Sequence, residues 1–206
     1  ELARAASLDD LAPRLTLVAS ALAGHRVTVR AAESEGGATG EALLLPSLLD
    51  VGPDRAANTR VYLHRVALGT AALRRGLYLP RGTTADEALA WTVAALPALL
   101  HEAAAMLPRF DDLGREVAAW ERARRPHPSA LAPREALLET AIQSLLDGGA
   151  PAEDRDAEAI AHAARALVAS MHALPTRRGS RVPAVMSWGL LAAESLAPRG
   201  APAPTG

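Results

Sequence analysis

The chain has 206 residues, half of them apolar, with 22 basic against 23 acidic side chains and no cysteine. That length builds one generous domain or two small ones and buries roughly 70% of the unfolded surface. A formal net charge of −1 supplies no long-range field toward nucleic acid or an anionic membrane, and the missing cysteines exclude disulfides, thiolate metal sites and a Cys nucleophile.

Ala and Leu supply most of the apolar content, whereas the chain holds only one Phe and two Tyr. Strong helix formers without strand formers predict a mainly α fold, a bundle of about six to seven helices. In chain order the first helix opens near Ser7 or Asp9. Leu8, Leu11, Leu15, Val18 and Leu22 recur at steps of three and four, Pro13 falls in the first turn, and Gly24 suits the C-cap. Two extended runs follow, 26–31 and 42–45. Val27 and Val29 alternate with Arg26, Thr28 and Arg30, and the Gly-rich loop 35–40 predicts that the two runs pair as one β-hairpin, at about 26–46.

The second helix spans 58–75 with Asn58 as its N-cap. Leu63, Val66, Leu73 and Leu77 form one stripe and Tyr62, Gly69 and Ala72 a second beside it, so this helix is expected at the centre with Leu63 and Val66 buried. Gly69 would let another helix approach closely. Thr84 and Glu87 make a capping box for the third helix, which carries Leu89, Val93, Leu96, Leu100 and Leu107 and a kink at Pro97. The fourth helix, 111–124, buries Leu113, Val117 and Trp120. A Pro-rich break at 125–128 precedes the fifth, 133–146. The sixth, 152–172, shows Ile160, Ala164, Leu167, Met171 and Leu174 in register. A polar turn at 175–181 then leads into a short apolar element, 182–191. The helical domain is expected to cover 1–197, and the Pro- and Ala-rich residues 198–206 read as a linker. The longest apolar run, 88–100, stops short of the ~20 residues of a membrane span. The start, Glu1-Leu2-Ala3-Arg4, has neither the basic head nor the apolar core of a secretory signal, and without a Met it reads as part of a longer chain, cytoplasmic in placement.

The residues that carry chemistry elsewhere do not assemble here. His101-Glu102 resembles half of a zinc-protease motif, but the next residues are Ala103, Ala104 and Ala105, so the second ligand one turn on is missing. His162 and His172 are ten apart, about 80° out of phase and some 15 Å along one helix, so no single metal takes both. Gly36-Gly37-Ala38-Thr39-Gly40 lacks the Lys of a phosphate loop and precedes a strand rather than a helix. No Gly-x-Ser-x-Gly elbow occurs. No catalytic residue, metal ligand or cofactor site is assigned. All 22 basic residues are Arg, a usage that a GC-rich bacterial genome explains together with the abundance of Ala. The Arg runs at 74–75, 122–125 and 177–181 fall at helix ends or turns, where they complement the C-terminal dipole and stay solvated.

Three stretches carry a family resemblance: Leu17-Val18-Ala19-Ser20-Ala21-Leu22-Ala23-Gly24, the run ending Leu44-Leu45-Pro46, and Tyr62-Leu63-His64-Arg65-Val66-Ala67. Together they resemble the N-terminal helical region of the NorD/CbbO group, and Val182-Pro183-Ala184-Val185-Met186-Ser187-Trp188-Gly189 is similar to the Trp-Gly segment that closes that region. The resemblance covers about a third of the chain. It implies a parent chain with a C-terminal von Willebrand factor A domain and a MoxR-type AAA+ ATPase as partner, the pair activating an enzyme such as rubisco or a nitric oxide reductase. The Asp-x-Ser-x-Ser metal signature of that domain is not in these residues. The resulting expectation is a non-enzymatic adaptor or scaffold that docks the ATPase or its target. The alternatives are a degenerate metallohydrolase-like domain using His101 and Glu102, or a helical ligand-binding regulatory domain. Partner-binding candidates are Arg177, Arg178, Arg181 and Trp188, with His64 and Arg65 on the second helix. Against them stand a solvated turn followed by a core Trp, and a His64 that makes a core or interhelical hydrogen bond.

Overall fold

In the computed structural model, residues 4–32, 36–40, 42–80, 82–148, 152–177 and 181–191 are described. The fold is mainly α. The described residues form six α-helices, α1 (Leu8–Ala23), α2 (Arg55–Arg75), α3 (Ala85–Met106), α4 (Phe110–Arg122), α5 (Pro133–Leu146) and α6 (Ala157–His172). Short strands make two small sheets: β1 (Ala6–Ser7) with β5 (Leu48–Leu49), and β2 (Thr28–Ala32), β3 (Gly37–Thr39), β4 (Ala42–Pro46) and β6 (Leu190–Leu191) in the order β2-β4-β3-β6. The expected linker at 198–206 lies outside the described residues.

Local signals place most helix ends. Ser7 stands at the N-cap of α1, Asp9 and Asp10 follow in the first turn where the dipole favours anions, and Gly24 closes the helix at φ 73°. Because the helix starts at Leu8, Pro13 lies in its second turn rather than the first. The carbonyl of Asp9 thereby loses its helical donor, and Asp9 is exposed so that water can replace it. Thr84 and Glu87 form the expected capping box of α3, with Thr84 N–H donating to Glu87 Oε2 at 2.9 Å. Helix α6 begins at Ala157, five residues later than expected. Asp156 caps it by accepting from Ala159 N–H at 2.7 Å, and Glu153 N–H before it donates to the Pro97 carbonyl at 3.2 Å.

The sheet corrects the expected hairpin. Runs 26–31 and 42–45 do pair, but in parallel, with Val29 opposite Leu43 and Ala31 opposite Leu45. The Gly-rich stretch between them supplies a strand of its own. β3 forms the antiparallel hairpin with β4 and takes the place across β4 from β2. Gly36 makes this arrangement possible: at φ 73° a Cβ there would lie 2.1 Å from the Leu44 carbonyl oxygen. The free edge of β2 is closed by α1, whose Ser20 Oγ accepts from Val27 N–H at 3.1 Å and whose Thr16 Oγ1 accepts from Val29 N–H at 3.2 Å.

Helix α2 is the central element, packed against α1, α3, α4 and strands of both sheets. From Val61 to Leu68 every residue except Leu63 is buried, which corrects the expectation for Leu63 and bears out that for Val66. Gly69 accommodates the side chain of Leu43 from β4, not a helix: an added Cβ would lie 2.9 Å from Leu43 Cδ2. Asn58 is not the N-cap, because α2 starts a turn earlier under Asp54, whose Oδ1 accepts from Ala57 N–H at 2.7 Å. Asn58 is instead fully buried, accepting from Val51 and Gly52 N–H at 2.7 and 2.8 Å and donating to the Arg4 carbonyl at 2.9 Å. One side chain thus ties the N-terminus, the loop after β5 and the start of α2 together.

Helix α3, with 22 residues, is long and apolar enough to cross a membrane, longer than the run 88–100 suggested. It is mostly buried against α2, α5, α6 and β6, the environment of a core helix. Val117 of α4 is buried, whereas Leu113 and Trp120 are half-buried. Trp120 carries the Arg60 guanidinium 5.3 Å from its ring centroid.

Candidate functional site

The residues singled out from the sequence divide into two places. Arg177 and Arg181 are exposed on the turn before the last segment, and Arg178 lies outside the described residues. His64, Arg65 and Trp188 are buried, at 2%, 2% and 8% exposure. They meet one another inside the molecule and present no open docking face. Trp188 is therefore a core residue, and His64 makes the interior hydrogen bond that was its alternative.

The meeting point is the segment 182–191. It has little regular structure, so its buried backbone groups need partners from outside. Among the described residues, side chains of three helices provide them. Arg65 donates to the Met186 carbonyl, and His64 Nδ1 lies 2.9 Å from the Ser187 carbonyl oxygen. From α4, Glu121 Oε2 accepts from Ser187 N–H at 3.0 Å. Arg125, just beyond α4, donates to the Ala184 carbonyl at 3.2 Å. From α3, Thr92 Oγ1 accepts from Leu191 N–H at 3.0 Å. β6 then lies parallel to β3, with Leu191 opposite Ala38.

These polar groups are themselves supported. Arg125 forms a two-pronged ion pair with Glu139 of α5, with Nε to Oε1 at 3.0 Å and Nη2 to Oε2, and both side chains are essentially inaccessible to solvent. Gln143, one turn on, donates to Glu139 Oε1 at 2.8 Å and to the Pro126 carbonyl at 2.7 Å. Arg125 was expected to be solvated at a helix end. It is buried because the break at Pro126 turns its side chain under α5. The i, i+4 spacing of Glu121–Arg125 and Glu139–Gln143 is visible in the sequence, but nothing local marks these residues as interior. Thr92, inside an apolar helix, gives no signal either.

His64 shows what this interior does to an ionisable group. Burial pushes its imidazole down to about 4, the neighbouring Arg65 charge adds to the fall, and the Ser187 carbonyl opposes it. The ring is therefore neutral at pH 7. Since the Ser187 carbonyl can only accept, Nδ1 carries the proton. The ring stacks on Phe110 with centroids 5.1 Å apart. Gly189, at φ 76°, lies where a Cβ would come 2.8 Å from Arg65 Nη2, so the guanidinium rests directly on backbone. A cavity of about 20 Å³ beside Arg65, Thr92 and Trp188 has room for about one water.

His101 is exposed, and Glu102 is held by Arg74 at 2.7 Å and Arg75 at 3.7 Å. Among the described residues no three His, Asp or Glu side chains converge as a metal site. A second concavity, about 230 Å³ and open to solvent, lies between the start of α3 and α6, lined by Pro80, Thr83, Glu87, Trp91 and Arg165. Its Glu87 is committed to the capping box, whose hydrogen bonds hold the carboxyl below its ordinary range. Comparison with known protein families, with curated proteins and with solved structures yields no match to this chain.

Proposed function

We propose that this chain is a non-enzymatic adaptor or scaffold module of an AAA+ ATPase-linked enzyme-activation system, acting in the bacterial cytoplasm. It docks a MoxR-type ATPase or the enzyme that the ATPase remodels. The observation that supports this reading is the convergence of the four resemblance-bearing stretches on one unit. Ser20 in the first stretch accepts from Val27 N–H just before β2, residues 44–46 end strand β4, and His64 and Arg65 in the third hold the Trp-Gly segment 182–189. Residues 182–189 are far from the other three in sequence, yet all four contribute to one core, and His64 and Arg65 hold the 182–191 segment against the bundle. The buried side chains of His64, Arg65, Glu121 and Arg125 hold backbone groups of that segment, a use of polar groups that builds a scaffold.

The exposed Arg177 and Arg181 are the docking residues in this reading, with Arg178 between them in sequence. Capture of a purified MoxR-type ATPase by the immobilised chain is the direct test. Replacing Arg177, Arg178 and Arg181 by Ser leaves the helical circular-dichroism signal intact and weakens capture tenfold or more, with a flatter salt dependence. Unchanged capture removes this face from the reading. Stoichiometric zinc that disappears in His101→Ala, or ATP hydrolysis by the chain alone, defeats the non-enzymatic assignment.

A further inference from the structure

We propose that the channel bounded by α2, α3, α4 and β3 is a peptide-binding groove occupied in cis by residues 182–191, and that this segment leaves and re-enters as a unit while the bundle stays folded. The inference concerns the segment's own chemistry and stands whether or not the adaptor reading does.

Two modes of peptide recognition meet on this segment. One is strand addition: β6 extends the sheet by pairing in parallel with β3 at its edge. The other is a side-chain clamp on irregular backbone, with Arg125 on Ala184, Arg65 on Met186, His64 and Glu121 on Ser187, and Thr92 on Leu191. Trp188 is the apolar anchor, seated beside the small cavity. Gly189 supplies specificity, because its φ of 76° strains any side chain and an added Cβ would press on the Arg65 guanidinium.

The energetics of the clamp favour reversibility. Arg65 and Glu121 are almost fully buried, and their desolvation is offset by hydrogen bonds to the segment. When the segment leaves, water reaches these groups and they are rehydrated, not orphaned. Opening also exposes the core side chains Val185, Trp188 and Leu191, and the rehydration of these polar groups offsets part of that cost. The connection is also suited to release. Among the described residues of that connection, 172–177, 181 and 183 are exposed, and it is tied to α5 by two bonds, from Arg134 N–H to the Pro175 carbonyl and from the Thr176 hydroxyl to Glu135.

The test uses the whole chain with a site-specific protease sequence placed between Arg177 and Arg181. After cleavage the two pieces remain together and helical by circular dichroism. A fluorescent peptide of residues 182–191 then exchanges with the cleaved-off fragment, followed by anisotropy. The same peptide carrying Gly189→Ala binds at least tenfold more weakly, and Thr92→Val in the protein speeds peptide release several-fold. Uncleaved protein takes up the peptide much more slowly, because its tethered segment competes at a high effective concentration. The proposal is overturned if the bundle loses its helical signal when the fragment is removed. It is equally overturned if the fragment exchanges only in denaturant that unfolds the bundle, or if the Gly189→Ala peptide binds as well as the original.

Discussion

His64 Nδ1 lies 2.9 Å from the carbonyl oxygen of Ser187, a hydrogen bond between residues 123 positions apart that joins the middle of the central helix to the last described segment. Arg65, next in the chain, holds the neighbouring Met186 carbonyl, so two consecutive residues of α2 hold two consecutive carbonyls. A helix places side chains i and i+1 about 100° apart. The long Arg65 and His64 side chains bridge that angle to reach one strip of backbone, and Phe110 stacks on the imidazole ring.

That geometry gives a pH dependence. The folded pKa of His64 is about 4, against 6.5 for the free side chain. A group depressed in this way binds more protons when unfolded, so its contribution is complete above pH 6.5 and is lost as pH falls from 6.5 toward 4. At 1.36 kcal/mol per unit, the whole loss is roughly 3 kcal/mol. The carboxyls of Asp50, Glu87 and Asp112, depressed from ordinary values of 3.8 and 4.5, lose their contributions at and below the acid end of this window. Urea denaturation at pH 7.5, 6, 5 and 4.5 should show the decline, and His64→Gln should flatten it. An equal slope in the variant would place the titrating group elsewhere.

The Arg125–Glu139 pair is inaccessible on both sides, so breaking it from one side strands a charge. Arg125→Met is expected to cost ~3–5 kcal/mol, and the double change Arg125→Met with Glu139→Leu should recover a large part of that loss. A double-mutant cycle in denaturant reads the coupling directly. Additive effects of the two changes would mean that the pair contributes little beyond its packing.

Burial along α2 ranks its leucines. Leu68 is 2% exposed, while Leu63 is only half-buried. Leu68→Ala should cost ~2–5 kcal/mol and Leu63→Ala well under half as much. Equal shifts in the denaturation midpoint would contradict the placement of α2 at the centre.

Two glycines in the left-handed region separate strain from collision. Gly24 has open space around its Cβ position, whereas at Gly36 that position is 2.1 Å from the Leu44 oxygen. Gly24→Ala is expected to cost ~1–2 kcal/mol from backbone conformation alone. Gly36→Ala should exceed it clearly, because β3 must also move away from β4. Comparable melting temperatures for the two variants would argue against the strand order β2-β4-β3.

Much of the helical framework was legible in the residues themselves. The capping box at Thr84, the Gly24 cap and the start of α5 at Pro133 are written into a few neighbouring positions, and the structure places the helix ends there. The candidate site was legible only in part. His64, Arg65 and Trp188 were singled out as features, but as partner contacts, because an Arg or a His in a helix carries no local mark of burial. Glu121, Arg125, Glu139 and Thr92 were missed for the same reason.

The sequence by itself determined the helices, since periodicity and capping act within one or two turns, and it determined that α2 would be enclosed on most sides. Only the tertiary structure decided how the strands pair and where the charges lie. β2 and β4 run parallel because β3, a stretch of Gly, Ala and Thr with little strand propensity, is stabilised by its neighbours and occupies the antiparallel place. Arg65, Arg125, Glu121 and Glu139 are interior because their hydrogen-bonding partners include residues 14 to 121 positions away, and no local pattern records a partner at that distance.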